Sequence, residues 1–242
     1  MTGTGRGLAA ALFLSAAPAI AGDFADRELI GFSKDGKTFA FEEYGVQDGS
    51  GFPYSNIYVI DTDSDAWVPG SPVRVRREDE AAPLAAVRAE ARAKAKAILA
   101  GRRVEARGTY LVSNPITELS ADPYRVRFRT NPYLASDDRT LTLTLTPLAL
   151  PPSKACAPYG EAAGFRLTLA NLQGGARVLH EDRAIPPSRG CAASYAISDV
   201  ISLDEDGGPA TIAVLVSVFM QGFEGPDRRF VAVTARFGQP FN

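Results

Sequence analysis

GFSKDGKTFAFEEYGVQDGSG, residues 31–51, sets an apolar alternation beside an Asp35-Gly36 turn and then runs into chain dominated by Gly and Asp. Phe39 and Phe41 alternate with Thr38, Ala40 and Glu42, the two-residue period of a strand with one buried face. Asn56-Ile57-Tyr58-Val59-Ile60 gives a second strand signal, closed by the acid-rich Asp61-Thr62-Asp63-Ser64-Asp65. A strand, an Asp-Gly turn and a strand occur in many β proteins and also in the four-stranded blades of β-propellers, so the rest of the chain has to show whether it holds further blades.

Most of the chain beyond Gly101 is also β-patterned. Tyr124-Arg125-Val126-Arg127-Phe128-Arg129 and Thr140-Leu141-Thr142-Leu143-Thr144-Leu145-Thr146 both alternate, with turn residues Asn131-Pro132 and Ser136-Asp137-Asp138 between them, which predicts a hairpin. Phe165–Leu169 and Ala176–His180, joined across Gln173-Gly174-Gly175, predict another. ATIAVLVSVFM, residues 210–220, is rich in β-branched residues and half the length of a spanning helix, so it is read as a buried strand.

One helix interrupts the pattern, near residues 79–100. Glu78, Asp79 and Glu80 precede it, Pro83 suits its first turn and Gly101 its C-terminal cap. Leu84, Val87, Ala91, Ala95 and Ile98 form a narrow apolar stripe opposite Arg88, Arg92, Lys94 and Lys96. Docking on a sheet is the leading reading; an interfacial membrane helix would bury little area through a face that is mostly Ala.

Sliding the N-terminal segment by 171 positions lays Glu28–Gly36 over Asp199–Gly207 and Gly51-Phe52 over Gly222-Phe223. Acid falls on acid and Asp-Gly on Asp-Gly, and each copy continues into a strand. Either the chain begins and ends with a similar three-strand unit, or common turn residues recur by chance. Four blades need roughly 160–200 residues, and the helix and irregular middle leave too little chain for them.

The first 21 residues carry the marks of an export leader: Arg6, an apolar run from Leu8 to Ala17 too short to span a bilayer, and Ala19-Ile20-Ala21 as cleavage signature. Cleavage after Ala21 leaves 242 − 21 = 221 residues with a charge of 25 − 28 = −3. So mild a balance gives no reason to expect nucleic acid or an anionic membrane as partner. Cys156 and Cys191 are the two cysteines; after export they are expected to form one structural disulfide, with free thiols or a redox pair as alternatives.

Chemistry-bearing residues are few. His180 is the single histidine, in His180-Glu181-Asp182, and the chain has no Gly-x-Ser-x-Gly turn. Asp61, Asp63 and Asp65 have the spacing of the first half of a calcium loop, but Ala66 and Pro72 stand where an EF-hand needs Gly and Glu, so at most a weak calcium site survives beside the reading of a plain acidic turn. Asp204-Glu205-Asp206-Gly207 is the matching turn of the second unit. Arg125, Arg127 and Arg129 share one strand face and could meet an anionic ligand or simply face water. Trp67, with Phe52, Tyr54 and Tyr58 nearby, is a candidate aromatic platform for sugar or peptide, core packing being the alternative.

FSKDGKTFAF followed by NIYVIDTDSD, Phe32 to Asp65, resembles a single blade of the Tol-type β-propellers. Together with the SRGC around Cys191, YAISDV (Tyr195–Val200) and GFEGPDRRF (Gly222–Phe230), the chain resembles a bacterial family of predicted secreted proteins over most of residues 28–237. That resemblance implies export and a mostly β fold, and supplies no catalytic residue. The expected protein is a periplasmic or secreted single domain over residues 22–242, mainly antiparallel β. Its two packed sheets are built around blade-like units near 28–61 and 199–234, with one helix; a small or incomplete propeller is the alternative. Its expected role is non-enzymatic binding of an envelope protein, peptide or glycan, with no cofactor beyond weak calcium. A secreted hydrolase is the alternative.

Overall fold

The computed structural model describes residues 22–129, 140–160, 162–203, 211–222 and 225–237. The export leader, the Ser136–Asp138 turn, the Asp204–Gly207 turn and Phe223-Glu224 lie outside them.

The described chain forms fourteen strands in three open antiparallel sheets, and no barrel or propeller. The first sheet is a meander of β1 (Asp26–Ser33), β2 (Thr38–Val46) and β3 (Pro53–Asp61), with the short β4 (Ala66–Trp67) and β5 (Val73–Arg76) on β3. After helix α1 (Leu84–Gly101) the chain returns as β6 (Val104–Ala106) beside β1. β7 (Thr109–Ser113) then crosses to a second sheet. The third sheet is built next, from β8 (Arg125–Arg129), β9 (Thr140–Leu150), β10 (Ala162–Asn171) and β11 (Ala176–Glu181), in the order β11-β10-β9-β8. The chain ends by completing the second sheet with β12 (Ala192–Leu203), β13 (Thr211–Gln221) and β14 (Pro226–Arg236), in the order β14-β13-β12-β7.

The second sheet is the centre of the stack. Along β13, Ile212, Val214, Val216 and Val218 enter the core shared with Leu143, Leu145, Phe165 and Leu167 of the third sheet. Ala213 and Leu215 enter the core shared with Phe32, Phe39 and Phe41 of the first. A strand covered on both faces needs apolar residues at both parities, which is why this stretch is continuously apolar while β9 of the third sheet alternates. Truncating a core side chain such as Leu215 costs about 2–5 kcal/mol.

α1 covers the remaining face of the first sheet. Val87, Ala91 and Ala95 are buried against Ala40, Ile57, Val59 and Val75. Methyl side chains at positions 91 and 95 let the helix lie close to the sheet. Arg88 and Arg92, expected on the solvent side, instead reach down to the sheet beside this stripe, because β2 presents a carboxylate there. Gly101 is the last helical residue, and the left-handed conformation beyond it falls on Arg103, with φ 53°. Among the described residues no helix is long and apolar enough to cross a membrane.

β1–β3 and β12–β14 are indeed both three-strand meanders, and they pack face to face. Residue correspondence does not carry over, however: shifting the pair Leu29↔Phe41 by 171 would set Val200 opposite Ile212, whereas Val200 faces Val214. The two units share a topology and turn chemistry, and each sets its own register through its bulges.

The predicted hairpins β8–β9 and β10–β11 both form. Cys156 and Cys191 are joined, 35 residues apart, tying the chain before the second hairpin to the segment after it. Closing a loop of that length stabilises by roughly 3–4 kcal/mol in the chain-entropy model.

Candidate functional site

β8 is a five-residue edge strand whose sequence, Arg-Val-Arg-Phe-Arg, sorts by parity. Phe128 and Val126 enter the core between the second and third sheets. Arg125, Arg127 and Arg129 therefore take the opposite face, and all three are exposed. Their cross-strand neighbours on β9 are Thr144, Thr142 and Thr140, so the cations stand beside a row of hydroxyls. On β10 the same face continues through Thr168 and Arg166, the latter held in a two-bond ion pair with Glu181 of β11 at 2.8 Å. Successive arginines of the row are about 6.8 Å apart along the strand.

Many of the arginines are held in the fold by carboxylates. Arg27 is paired with Asp199, Arg88 and Arg92 with Glu42, Arg189 with Asp182, Arg229 with Asp23, and Arg236 with Asp63. Among the described residues, neither Arg125 nor Arg127 has any carboxylate partner. An exposed guanidinium keeps its full capacity for bidentate contact with an anion, and a strand fixes its spacing.

The other polar clusters are internally satisfied. Asp199 is fully buried and accepts from Arg27 Nε at 2.7 Å, Arg27 Nη2 at 2.8 Å, Ser113 at 3.1 Å and Ser198 at 2.6 Å. His180 packs its ring on Phe165, with centroids 4.7 Å apart, and its Nε2 lies 2.8 Å from Asp182 Oδ1. Asp182 also accepts from Arg189 at 2.6 Å and from the Phe165 amide at 2.9 Å. Burial pushes the Asp182 carboxyl up, but His180, Arg189 and the Phe165 amide outweigh it and hold the group below its ordinary value. Among the described residues, no hydroxyl or thiol is hydrogen-bonded to His180.

Asp61, Asp63 and Asp65 do not converge. Asp61 Oδ1 caps its own turn, accepting from the Asp63 amide at 3.2 Å, the Ser64 amide at 3.0 Å and the Ser64 hydroxyl at 2.9 Å. Asp63 accepts from Arg236 at 2.9 Å, while Asp65 turns inward to the Thr234 amide at 2.7 Å and hydroxyl at 2.9 Å. Among the described residues no group of three His, Cys, Asp or Glu side chains is arranged to hold a metal ion. Trp67 and Tyr54 are not brought together either. Trp67 is 45% exposed on β4 and leans on Tyr58, whereas Tyr54 is buried between sheets and donates to Asp23 at 3.0 Å.

Sequence pattern singles out the arginine row itself. The threonine neighbours Thr142 and Thr144 and the flanking Arg166–Glu181 pair depend on strand register, and only the unbroken Thr alternation of β9 hints at them.

Comparison with curated proteins finds no match. A family model described as "Predicted secreted protein (DUF2259)" matches residues 40–236, which take in the second and third sheets, the first sheet apart from β1, α1 and both cysteines, and the chain therefore belongs to that secreted family.

Proposed function

We propose that this secreted protein is a non-enzymatic envelope module that binds an anionic protein, peptide or glycan through the row Arg125, Arg127 and Arg129. The observation that carries the reading is that Arg125 and Arg127 stand two residues apart on one exposed face of a strand, beside a row of threonines, without a carboxylate partner among the described residues. Threonine hydroxyls beside them supply neutral donors and acceptors of the kind that complete an anion or sugar site.

Titration of the chain from Gly22 onward with polyglutamate and with polygalacturonate tests it. Binding that weakens steeply with salt, and that Arg125→Ala with Arg127→Ala reduces about tenfold or more, is the expected result. Affinity unchanged by the double substitution would sink the proposal, as would turnover in a hydrolase screen that disappears in His180→Ala.

A further inference from the structure

Among the described strands, the one that carries the arginine row has a neighbour on one side only. The third sheet runs β11-β10-β9-β8 and stops, and no other described strand is hydrogen-bonded to β8. Which backbone groups face the open side is decided by one bond. The Leu145 amide donates to the Tyr124 carbonyl at 2.8 Å, so Tyr124 and Leu145 form a hydrogen-bonded pair. In an antiparallel ladder such pairs alternate with pairs whose N–H and C=O groups point away from each other. The pairs Arg125↔Thr144 and Arg127↔Thr142 are therefore of the second kind, and the N–H and C=O of Arg125 and Arg127 point out from the sheet edge. The same two residues thus offer a backbone donor and acceptor at the edge and a guanidinium on the outer face.

We infer that β8 is a docking edge for an extended acidic peptide, which adds as a fifth antiparallel strand with Asp or Glu at alternate positions. This rests on the reading of the arginine row as an anion-binding surface and names its occupant. In the added strand, residues directly opposite Arg125 and Arg127 are hydrogen-bonded pairs, with Cα atoms about 5.5 Å apart and side chains on the same face. Carboxylates at those positions meet the guanidinium groups in register, because both strands share the two-residue period. A second copy of this chain is a poor occupant of the edge, since antiparallel β8–β8 pairing would set arginine near arginine. Such an edge repels its own kind and accepts an oppositely charged strand.

The experiment uses the chain from Gly22 onward and a capped heptapeptide of alternating Thr and Glu, with an alternating Thr and Lys peptide as control, measured by calorimetry. The Glu peptide is expected to bind and the Lys peptide not. R125E with R127E, both exposed changes whose fold is checked by an unchanged thermal midpoint, should invert that preference and weaken the Glu peptide about tenfold or more. N-methylation of the Glu residues, whose amides face β8, should abolish binding, whereas N-methylation of the Thr residues should leave it within about twofold. Binding that ignores which amides are methylated would overturn edge pairing and leave the arginine row standing. Binding of polygalacturonate but not of the peptide, abolished by R125E with R127E, would do the same and assign the row to a glycan. Binding of neither probe, or binding indifferent to the double reversal, would overturn both readings.

Discussion

Glu42 and Glu43 are consecutive in β2 and both are buried, yet their carboxylates enter opposite environments. Glu42 points toward α1, where it accepts from Arg88 Nε at 2.9 Å, Arg92 Nη2 at 2.6 Å and Ser55 at 2.9 Å. Glu43 points between the first and second sheets, where it accepts from the Phe230 amide at 2.7 Å and Asn56 at 3.1 Å, neutral donors both. Strand alternation forces the split, and the two groups respond oppositely to pH.

For Glu43, burial raises the pKa above its ordinary value, outweighing the amide hydrogen bonds. The unfolded chain therefore releases this proton at a lower pH than the folded one. Stability from Glu43 is complete below the unfolded pKa, about 4.3, and is lost as pH rises through the folded value. Glu43→Gln cannot lose it. Urea unfolding at about pH 4 and about pH 7 should show the variant gaining on the wild type as pH rises. A difference that stays flat between the two would refute the assignment.

Glu42 behaves in the reverse sense. Burial acts to raise its pKa, but the hydrogen bonds from Arg88, Arg92 and Ser55 prevail and the carboxyl lies below its ordinary value. Its contribution is present above the unfolded pKa and is lost as pH falls through the folded one. Arg88 also pairs with Glu28 and lies 3.6 Å over the Tyr44 ring, so it closes the gap between helix and sheet. Arg88→Met, which keeps most of the packing and removes the charge, should cost about 3 kcal/mol at neutral pH. The loss should shrink in acid, where Glu42 is protonated; an equal loss at both pH values would assign it to packing instead.

Much of this fold is legible in the sequence, and the illegible part has a physical cause. Thr140–Thr146 announces a strand because its alternate residues are threonines on the outer face, Phe39 and Phe41 announce one by their alternation, and the continuous run at Ala210–Met220 announces a strand covered twice. It does not say by what, so three sheets are there where two are the natural expectation. Arg88 and Arg92 look like the solvent face of an amphipathic helix because the buried carboxylate that draws them in lies 46 and 50 residues away. The candidate site divides in the same way: the parity of Arg125, Arg127 and Arg129 is written in β8, while the fact that no described strand lies beyond β8 is a property of the whole third sheet.

The acidic turn after β3 gives a third prediction. Asp61 is occupied by its own turn, Asp63 by Arg236 and Asp65 by Thr234, so three carboxylates spaced for calcium are committed to the fold. Millimolar calcium should produce no heat in calorimetry and no shift of the thermal midpoint. A midpoint that rises with calcium and no longer does so in Asp63→Asn would reveal a site that the resting geometry does not display.

Asp182 and His180 should separate sharply in their cost. Asp182 holds the buried Arg189 guanidinium, which lies 4.8 Å from the Phe165 ring centroid, and also accepts the Phe165 amide of the β10 ladder. Removing the carboxylate leaves a cation buried without its anion, and Asp182→Ala should cost about 3–5 kcal/mol. His180 is partly exposed and gives up one ring contact and the contacts of its Nε2 with Asp182 at 2.8 Å and Arg189 at 3.2 Å, while the Asp182–Arg189 pair stays intact, so His180→Ala should cost only about 1 kcal/mol. Urea midpoints of the two variants, taken with the Cys156–Cys191 bond intact, decide it. Equal costs would mean that the histidine, rather than the arginine, is what Asp182 is there to hold.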